Sequence, residues 1–238
     1  QHNVTFYTET LDEKEKHTET RARELRYEFF EKAIEKYDIN ALFTAHTKSD
    51  TSETLVYRII KGTGIKGLQG ISPKLGKIYR PMLDISRQEV EQYCKDNNLQ
   101  PNNDSSNAKN DYSRNFIRNE ILPKFSKINQ NYENSINSLS ILAFEEEQII
   151  KEYINSIGIY DIDGYIKTPI FSTLSIYLKK RIIYELFVKY DFEYTQQRIL
   201  NTLSFIEENK NSKSGKKCSI NGSHWLFVNS EKIYVIAK

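Results

Sequence analysis

The chain has 238 residues, of which 38% are hydrophobic and 28% charged, and a formal net charge of +2. These values are typical of a globular protein long enough for one large domain or two small ones. It contains no run of 18 apolar residues, so the sequence predicts no membrane span. Cys94 and Cys218 are far apart, which argues against a disulfide scaffold and fits a reducing compartment.

Charge is distributed unevenly along the chain. Residues 1–57 contain 8 Lys/Arg and 12 Asp/Glu, whereas residues 58–87 contain 7 Lys/Arg and one acid, Asp84. A local basic stripe is typical of a polyanion-binding surface, but an ordinary solvated face has the same pattern. Both interpretations stay open at this point.

The N-terminal segment predicts strands alternating with helices. VTFY (4–7) alternates like a short strand, and residues 18–37 have apolar side chains at helical spacing. NALFTA (40–45) predicts a short buried strand. Strand and helix in this order are typical of a parallel α/β sheet.

A helix is predicted from Asp50 to Lys61, directly after this strand. Asp50 can cap it, Glu53 can close a capping box, and Gly62 ends it. A strand end followed by a helix start is a natural anion site, because backbone N–H groups and the helix dipole favour negative charge there. The alternative is that the two carboxylates only cap the helix.

Other binding signatures in the sequence are incomplete. His46, Asp50 and Glu53 are donors for a hard metal ion, but no H-E-x-x-H motif or cysteine pair accompanies them. GTGIKG (62–67) has the letters of a dinucleotide fingerprint, yet it follows a helix where that fingerprint follows a strand. SKSGKK (212–217) lacks the first glycine of a Walker A motif. We interpret these glycines as turn residues.

The next segment predicts turns around one helix. Residues 62–81 form a Gly-rich connection with hairpin-like turn signals. Ser86 and Glu89 predict a capping box that opens a helix ending near Asn97. QPNNDSSNAKND (100–111) predicts a loop.

A short cationic helix is predicted from Ser113 to Pro123. Arg114 and Arg118 are four residues apart, so they share a face, and Asn115 lies beside them. Arginine is suited to bidentate phosphate contacts, although paired arginines are also common in surface salt bridges.

The character of the sequence changes near residue 125. Residues 130–157 and 172–208 have long helical patterns, and residues 217–237 alternate as strands around an Asn-Gly turn at 221–222. We therefore predict a second, mainly helical domain that ends in a short β segment.

The chain contains, in this order, the blocks TAHTKSDTSETLVYRIIKGTGIKGLQGI, YRPMLDISRQEVEQYC and NNDSSNAKNDYSRNFIRNEILP. Together they resemble the tRNA(Ile)-lysidine synthetase family, and ETRARELRYEFF is similar to the family's upstream helix. The likeness is close over residues 1–125. Over residues 126–238 only the general helical character is similar, together with an SGK sequence at 214–216.

The resemblance implies an N-type ATP pyrophosphatase (PP-loop) domain over residues 1–125, with a doubly wound parallel α/β fold. It implies a helical tRNA-recognition domain ending in strands over residues 126–238. The implied activity uses ATP and Mg²⁺ to adenylate the C2 oxygen of the wobble cytidine, C34, in tRNA(Ile) with a CAU anticodon. The ε-amine of free L-lysine then displaces AMP to form lysidine. The resemblance leaves open whether the protein forms a homodimer.

The resemblance also implies roles for individual residues. The expected catalytic residues are His46, Asp50 and Glu53, with Asp50 also holding Mg²⁺. The residues expected to orient the nucleotide or lysine are Thr47, Thr54, Arg23 and Arg26. The residues expected to contact tRNA or phosphate are Arg58, Lys61, Lys66, Arg80, Arg114, Asn115 and Arg118.

The sequence departs from the family pattern in two places. The ATP-binding loop S-G-G-x-D-S does not occur in these residues, so we expect a chain that is incomplete before Gln1, lacks the first strand and phosphate loop, and is inactive alone. Thr47 and Ser49 make a variant similar to cyanobacterial and plastid members, which predicts a plastid stroma or otherwise a bacterial cytoplasm. The alternatives are a thiolase-like PP-loop enzyme and a tRNA-binding fragment without catalysis.

Overall fold

The computed structural model describes residues 5–10, 18–101 and 112–238. By its internal contacts the chain divides into two compact units, Gln1–Glu147 (unit 1) and Gln148–Lys238 (unit 2). Within the described ranges, no helix has both the length and the apolar character needed to span a membrane.

Unit 1 begins with the predicted order of helix, strand and helix. Helix α1 spans Glu19–Lys36, strand β1 spans Leu42–Phe43, and helix α2 spans Lys48–Lys61. The hydroxyl of Thr18 accepts a hydrogen bond from the backbone N–H of Arg21, which satisfies one of the free amides at the start of α1. The prediction of a helix over 18–37 is confirmed.

The N-terminal strand predicted at 4–7 is wrong for the residues that can be described. Residues 5–10 form neither helix nor strand, and Val4 lies outside the described ranges. The ring of Tyr7 stacks on that of Tyr37, with 4.0 Å between centroids. This segment is therefore held by side-chain packing rather than by pairing in the sheet.

The sheet of unit 1 is mixed. Strand β2 spans Lys74–Leu75 and strand β3 spans Ile78–Tyr79, and the strand order is β1-β3-β2. Strands β1 and β3 are parallel, as predicted, but β2 runs antiparallel to β3. Because only two residues, Gly76 and Lys77, join β2 to β3, the chain must reverse there. The expectation of a wholly parallel sheet is therefore wrong for the described strands.

The Gly-rich connection contains a four-residue helix, α3, at Ile65–Leu68. Gly70 follows it with a φ of +66°, and a Cβ there would lie 2.8 Å from both Leu55 Cδ1 and Ser140 Oγ. Both the backbone conformation and the close packing require glycine at this position.

Helix α4 spans Arg87–Asp96 and begins with the predicted capping box. The carboxylate of Glu89 accepts from the backbone N–H of Ser86 at 2.7 Å, and the hydroxyl of Ser86 accepts from the N–H of Glu89 at 3.2 Å. Most of the loop predicted at 100–111 lies outside the described residues.

The helix predicted from Ser113 does not stop at Pro123. Helix α5 (Ser113–Phe116) continues into a π-helical segment (Ile117–Ile121) and then into helix α6 (Leu122–Ile128). Pro123 lies in the first turn of α6, where the missing N–H of proline breaks no regular hydrogen bond. The wider π turn before it lets the chain continue.

Helix α7 spans Tyr132–Ser156 and confirms the helix predicted over 130–157. The division between the two units falls within it, later than the change of sequence character near residue 125.

Unit 2 places helices against one antiparallel sheet. Its elements are β4 (Ile166–Lys167), α8 (Thr168–Thr173), α9 (Ile176–Lys189), α10 (Gln196–Asn209), β5 (Lys216–Ser219), β6 (His224–Val228) and β7 (Lys232–Ala237). The strand order is β4-β7-β6-β5. The hairpin predicted around 221–222 is confirmed by the pairing of β5 with β6. The long helical pattern over 172–208 is divided into α9 and α10.

Candidate functional site

The site begins at the first turn of α2. Thr47 is the N-cap, and the Asp50 carboxylate accepts from both the backbone N–H and the hydroxyl of Thr47, at 2.7 Å and 2.8 Å. The predicted capping box, with Asp50 as N-cap and Glu53 as its partner, is therefore wrong. The observed capping box lies three residues earlier, with Thr47 as N-cap and Asp50 as its partner. The helix starts earlier because the N–H of Lys48 donates to the carbonyl of Ile85, which satisfies an amide of the first turn without Asp50.

Glu53, which is thereby not needed for capping, pairs with Arg118. Arg118 Nε donates to Glu53 Oε1 at 2.5 Å and Nη2 donates to Oε2 at 2.9 Å, a bidentate contact. Glu53 is only 3% exposed. Burial raises the pKa of Glu53, and the two hydrogen bonds from Arg118 oppose that rise. Arg118 therefore stabilises the charged form of the Glu53 carboxylate at a position that is shielded from water.

Arg118 also approaches Asp50, at 3.6 Å between Nη2 and Oδ1. It can reach both carboxylates because the π-helical segment packs against α2, where Ile117 and Leu122 are buried with Val56. Hydrogen bonding to Glu53 raises the pKa of Arg118, which secures its positive charge. One guanidinium thus links two carboxylates of the first turns of α2.

His46 lies just before α2, at the carboxyl end of β1. Its Nδ1 is 2.8 Å from the hydroxyl of Thr44. Burial lowers the pKa of His46; Asp50 acts in the opposite direction, and Arg80 adds to the lowering. The neutral imidazole is therefore favoured.

His46 and Asp50 face a cavity of about 310 Å³ that is also lined by helix α1. We call it the arginine cavity; its lining consists of Arg23, Arg26, Tyr27, Phe30, Thr44, Ala45, His46 and Asp50. Arg23 and Arg26 are exposed. Two guanidinium groups next to the end of a strand and the start of a helix form an environment that suits a phosphate.

Two larger cavities lie against Glu53 and Arg118. One, of about 670 Å³, extends to α4 and includes Thr47, Ser49, Asp50, Arg87 and Cys94 in its lining. The other, of about 890 Å³, extends to the start of α7 and includes Lys48, Ser49, Arg87, Tyr132 and Glu133. Glu53 and Arg118 therefore border open space on the side of α4 and α7, His46 borders the arginine cavity, and Asp50 borders both the arginine cavity and the cavity that extends to α4.

Two of the predicted phosphate contacts are instead used inside the protein. Arg58 Nη1 donates to the carbonyls of Gly67 and Gly70, at 2.7 Å and 2.9 Å, and so holds the Gly-rich connection. Burial lowers the pKa of Arg58. Arg80 is 5% exposed and donates to the carbonyl of Ser72 and the hydroxyl of Tyr27. These hydrogen bonds orient both guanidiniums toward protein groups.

The remaining predicted residues are divided between surface and interior. Lys61 and Lys66 are exposed, and Thr54 is buried at 3% exposure within α2. Arg114 and Asn115 are half-buried on α5, and the charge of Arg114 opposes the rise that burial causes in the pKa of Glu53. Arg114 is therefore close enough to Glu53 to act on it electrostatically, whereas Thr54 is in the core.

Sequence reasoning missed the contacts between α2 and α7. The hydroxyl of Ser49 donates to Glu133 Oε1 at 2.7 Å, and Lys48 Nζ donates to Asn134 Oδ1 at 2.8 Å. Burial raises the pKa of Tyr132 to about 12, next to Glu133. More than 80 residues separate these partners in sequence, so no local pattern could have indicated them.

A metal ion at this site would depend on Asp50. Among the described residues no group of three His, Cys, Asp or Glu is placed to hold a metal. Glu53 has both oxygens bonded to Arg118, and Asp50 Oδ2 accepts two hydrogen bonds from Thr47. Asp50 Oδ1, which lies 3.6 Å from Arg118 Nη2, is the remaining carboxylate oxygen. A Mg²⁺ ion takes one or two carboxylates together with substrate phosphates, so Asp50 is the residue here that would hold it.

Comparison with known proteins gives the family. Residues 1–125 match the PP-loop domain family, and the residues around the arginine cavity lie within this range. The chain is 35% identical over 162 residues to the tRNA(Ile)-lysidine synthase of Clostridium acetobutylicum, covering 65% of this chain and 35% of that protein. It is 40% identical over 133 residues to the tRNA(Ile)-lysidine synthase of Petrotoga mobilis, covering 56% and 43%.

A further tRNA(Ile)-lysidine synthase, from Thermosipho africanus, is 34% identical over 153 residues, covering 63% of this chain and 36% of that protein. The chain thus spans less than half the length of these relatives. The matched range nevertheless covers more than half of the 238 residues. The chain therefore belongs to the PP-loop domain family.

Proposed function

We propose that this chain takes part in the ATP-dependent conversion of the wobble cytidine, C34, of CAU-anticodon tRNA(Ile) to lysidine. The similarity to tRNA(Ile)-lysidine synthases supports the reaction class. The observation that carries the proposal is the arginine cavity, because the segment that matches the PP-loop family brings Arg23, Arg26, His46 and Asp50 to one opening.

The first chemical step is adenylation. The C2 oxygen of the cytidine attacks the α-phosphorus of ATP; an O–P bond forms, the bond to the β-phosphate breaks, and pyrophosphate leaves. Charge increases on the α-phosphate oxygens, and fixed positive groups stabilise it. Arg23 and Arg26 supply such groups, and His46 supplies a ring nitrogen at the strand end.

The second step is attack by lysine. Its ε-nitrogen bonds to C2 of the base, the C2–O bond breaks, and AMP leaves. The ammonium must first lose a proton, since an amine attacks only when neutral. Asp50 binds the ammonium and receives that proton directly or through water, while Glu53 and Arg118 hold the local charge balance.

Mg²⁺ enters with ATP and offsets the charge of the phosphates when bound. Asp50 would hold the ion during adenylation, before it binds the lysine ammonium in the second step. Exposed Lys61 and Lys66 contact tRNA phosphates, which predicts a steep salt dependence of tRNA binding. The plastid location and the homodimer stay predictions.

The test is ATP-dependent incorporation of labelled lysine into a CAU tRNA(Ile) transcript, using the gene product that contains these residues. We expect His46→Ala to lower turnover by roughly 10²- to 10³-fold, the range for loss of one transition-state donor. Asp50→Asn should have a comparable effect. Glu208→Gln is the matched control, because Glu208 is an exposed carboxylate on α10.

Near-normal turnover of both site variants would overturn the proposal. The same assay separates the alternatives: a thiolase-like enzyme would incorporate no lysine, and a binding module would retain tRNA without turnover. Neither cysteine is paired, and burial raises the pKa of the Cys218 thiol, which makes it a poorer nucleophile.

A further inference from the structure

Tyr27 on α1 lines the arginine cavity, and the chemistry proposed above gives it no role. Its hydroxyl oxygen accepts a hydrogen bond from Nη2 of Arg80 at 2.8 Å, across 53 residues of sequence. Nη2 of Arg23 donates to the same oxygen at 3.4 Å, and the guanidinium carbon of Arg23 lies 5.0 Å from the centre of the Tyr27 ring. Two guanidinium groups therefore use the Tyr27 oxygen as their acceptor.

The proton of the Tyr27 hydroxyl must point away from both arginines. A guanidinium has N–H donors and no acceptor, so Arg80 and Arg23 can occupy only the lone pairs of the phenol oxygen. Among the described residues, none accepts a hydrogen bond from Tyr27. The ring is half-buried and packs edge-to-face against Phe30, with 5.8 Å between centroids. The O–H of Tyr27 is therefore available to donate to a molecule in the cavity.

Arg80 carries a buried charge that pairs with no carboxylate in the part of the chain that the structure describes. It is 5% exposed, and its hydrogen bonds go to neutral oxygens, the carbonyl of Ser72 and the hydroxyl of Tyr27. A buried charge without a counter-ion is costly, and an anion bound nearby would reduce that cost. Burial is the main cause of the lowered pKa of His46, and the charge of Arg80 adds to it, so this charge is felt at the cavity.

The hydrogen bond from Arg80 also makes Tyr27 a stronger donor. Hydrogen bonds in a chain polarise one another, and a charged donor draws electron density from the phenol oxygen. Arg80 does not line the cavity itself. Its charge therefore acts there through the O–H of Tyr27, on the same wall as Arg23 and Arg26.

We propose that the O–H of Tyr27 binds a phosphate group in the arginine cavity, and that Arg80 is a positioning residue that acts on this phosphate through Tyr27. A phosphate has enough oxygens to accept from Tyr27, Arg23 and Arg26 together. A neutral ligand would leave the Arg80 charge unbalanced, and a cation would be repelled by the three guanidiniums. The identification of this phosphate as part of ATP rests on the proposed function.

The first experiment observes Tyr27 directly. The gene product that contains these residues is labelled with tyrosine carrying ¹³C at Cζ, and the Tyr27 signal is identified by its loss in Tyr27→Phe. Inorganic pyrophosphate, added without magnesium, should shift this signal until it saturates, because the Cζ resonance responds to hydrogen bonding of the hydroxyl. The signal of Tyr177, which is 80% exposed on α9, should not move.

The second experiment removes the donor and keeps the ring. Tyr27→Phe should weaken pyrophosphate binding roughly 10-fold, as measured by calorimetry, because one hydrogen bond to a charged ligand is lost. Tyr177→Phe is the matched control and should bind like the unaltered protein. A purely structural role of Tyr27 would also lower the affinity, but it would leave the Tyr27 signal of the unaltered protein unmoved by pyrophosphate.

A double-variant cycle tests the role of Arg80. Arg80→Met should weaken pyrophosphate binding roughly 5-fold in the unaltered protein and should lose most of this effect when Tyr27→Phe is also present. Additive losses would show that the two residues act separately. Arg80→Lys keeps the positive charge but not the fork of donors, so it repeats the cycle without removing the buried charge.

An unmoved Tyr27 signal at saturating pyrophosphate would overturn the proposal, as would equal affinities of Tyr27→Phe and the unaltered protein. Additive losses in the cycle would remove Arg80 from it. These measurements contain no ATP, tRNA or lysine. Absence of lysine incorporation by a protein whose Tyr27 responds to pyrophosphate would therefore count against the proposed function alone.

Discussion

The two units use their interiors differently. In unit 2, the described core is a cluster of fifteen buried apolar side chains from helices and sheet. In unit 1, four consecutive residues of α2 that are buried are polar or charged, Thr51, Ser52, Glu53 and Thr54, and the buried apolar cluster consists of Val56, Ile117 and Leu122.

This difference shows that unit 1 tolerates the free-energy cost of buried polar groups at its candidate functional site. Burying apolar area is favourable without any particular partner, whereas a buried charge needs a specific partner in the correct place. Unit 2 therefore gains stability from packing, and the centre of unit 1 depends on the Glu53–Arg118 pair.

Truncating the core of unit 2 should have the largest effect. Phe187 is 1% exposed and packs within the apolar cluster. Phe187→Ala should lower the free energy of unfolding by about 4 kcal/mol, because it removes transfer free energy and leaves a cavity. Urea unfolding measures the loss. Tyr177→Ala, at an 80% exposed position on α9, should change stability by no more than about 0.5 kcal/mol.

Breaking the ion pair of unit 1 should come next. Arg118→Ala leaves the buried Glu53 carboxylate without its two donors and should cost about 3 kcal/mol at neutral pH. The double variant Arg118→Met with Glu53→Gln should regain a large part of this loss, since neither charge is left buried. If the double variant were as unstable as Arg118→Ala, packing rather than charge would explain the effect.

The Arg118→Ala loss should also depend on pH. Burial raises the folded-state pKa of Glu53, and removal of Arg118 raises it further. A carboxyl with a raised folded-state pKa contributes stability fully below its unfolded value of about 4.3, and that contribution is lost as pH rises through the folded pKa. The penalty should therefore shrink in acid; a penalty independent of pH would contradict this account.

The contact between α2 and α7 should give a smaller effect. Ser49→Ala removes the hydrogen bond to Glu133 and should cost about 1 kcal/mol, while Ser49→Asp adds a like charge and should cost about 2 kcal/mol. Adding Glu133→Gln to Ser49→Asp should restore stability, because the amide can donate to the new carboxylate. Equal losses for the two single variants in thermal unfolding would exclude the charge effect.

The smallest effect should be the pH response of His46. Burial lowers its folded-state pKa, so its contribution is present above the unfolded value of about 6.5 and is lost as pH falls through the folded pKa. His46→Asn should therefore flatten the decline of stability below pH 6.5, as measured by urea unfolding at several pH values. Identical slopes for the two proteins would show that His46 titrates as in the unfolded chain.

Several local elements of this protein were predictable from the sequence alone. The capping box at Ser86 and Glu89, the end of α2 at Gly62, and the hairpin at 221–222 all follow from neighbouring residues. Their hydrogen bonds join groups a few positions apart, so the signal and its partner lie in the same window.

Which charged side chains pair with each other depends on the tertiary fold. Glu53 was predicted either to cap the helix or to be catalytic, and neither prediction indicated its bond to Arg118, 65 residues later. Arg58 was predicted to contact phosphate, and that prediction did not indicate its bonds to the Gly-rich connection. The residue types were recognisable because carboxylates and guanidiniums are chemically distinctive. Their partners were not, because a charged side chain can satisfy itself with solvent, ligand or protein, and burial by distant segments selects among these.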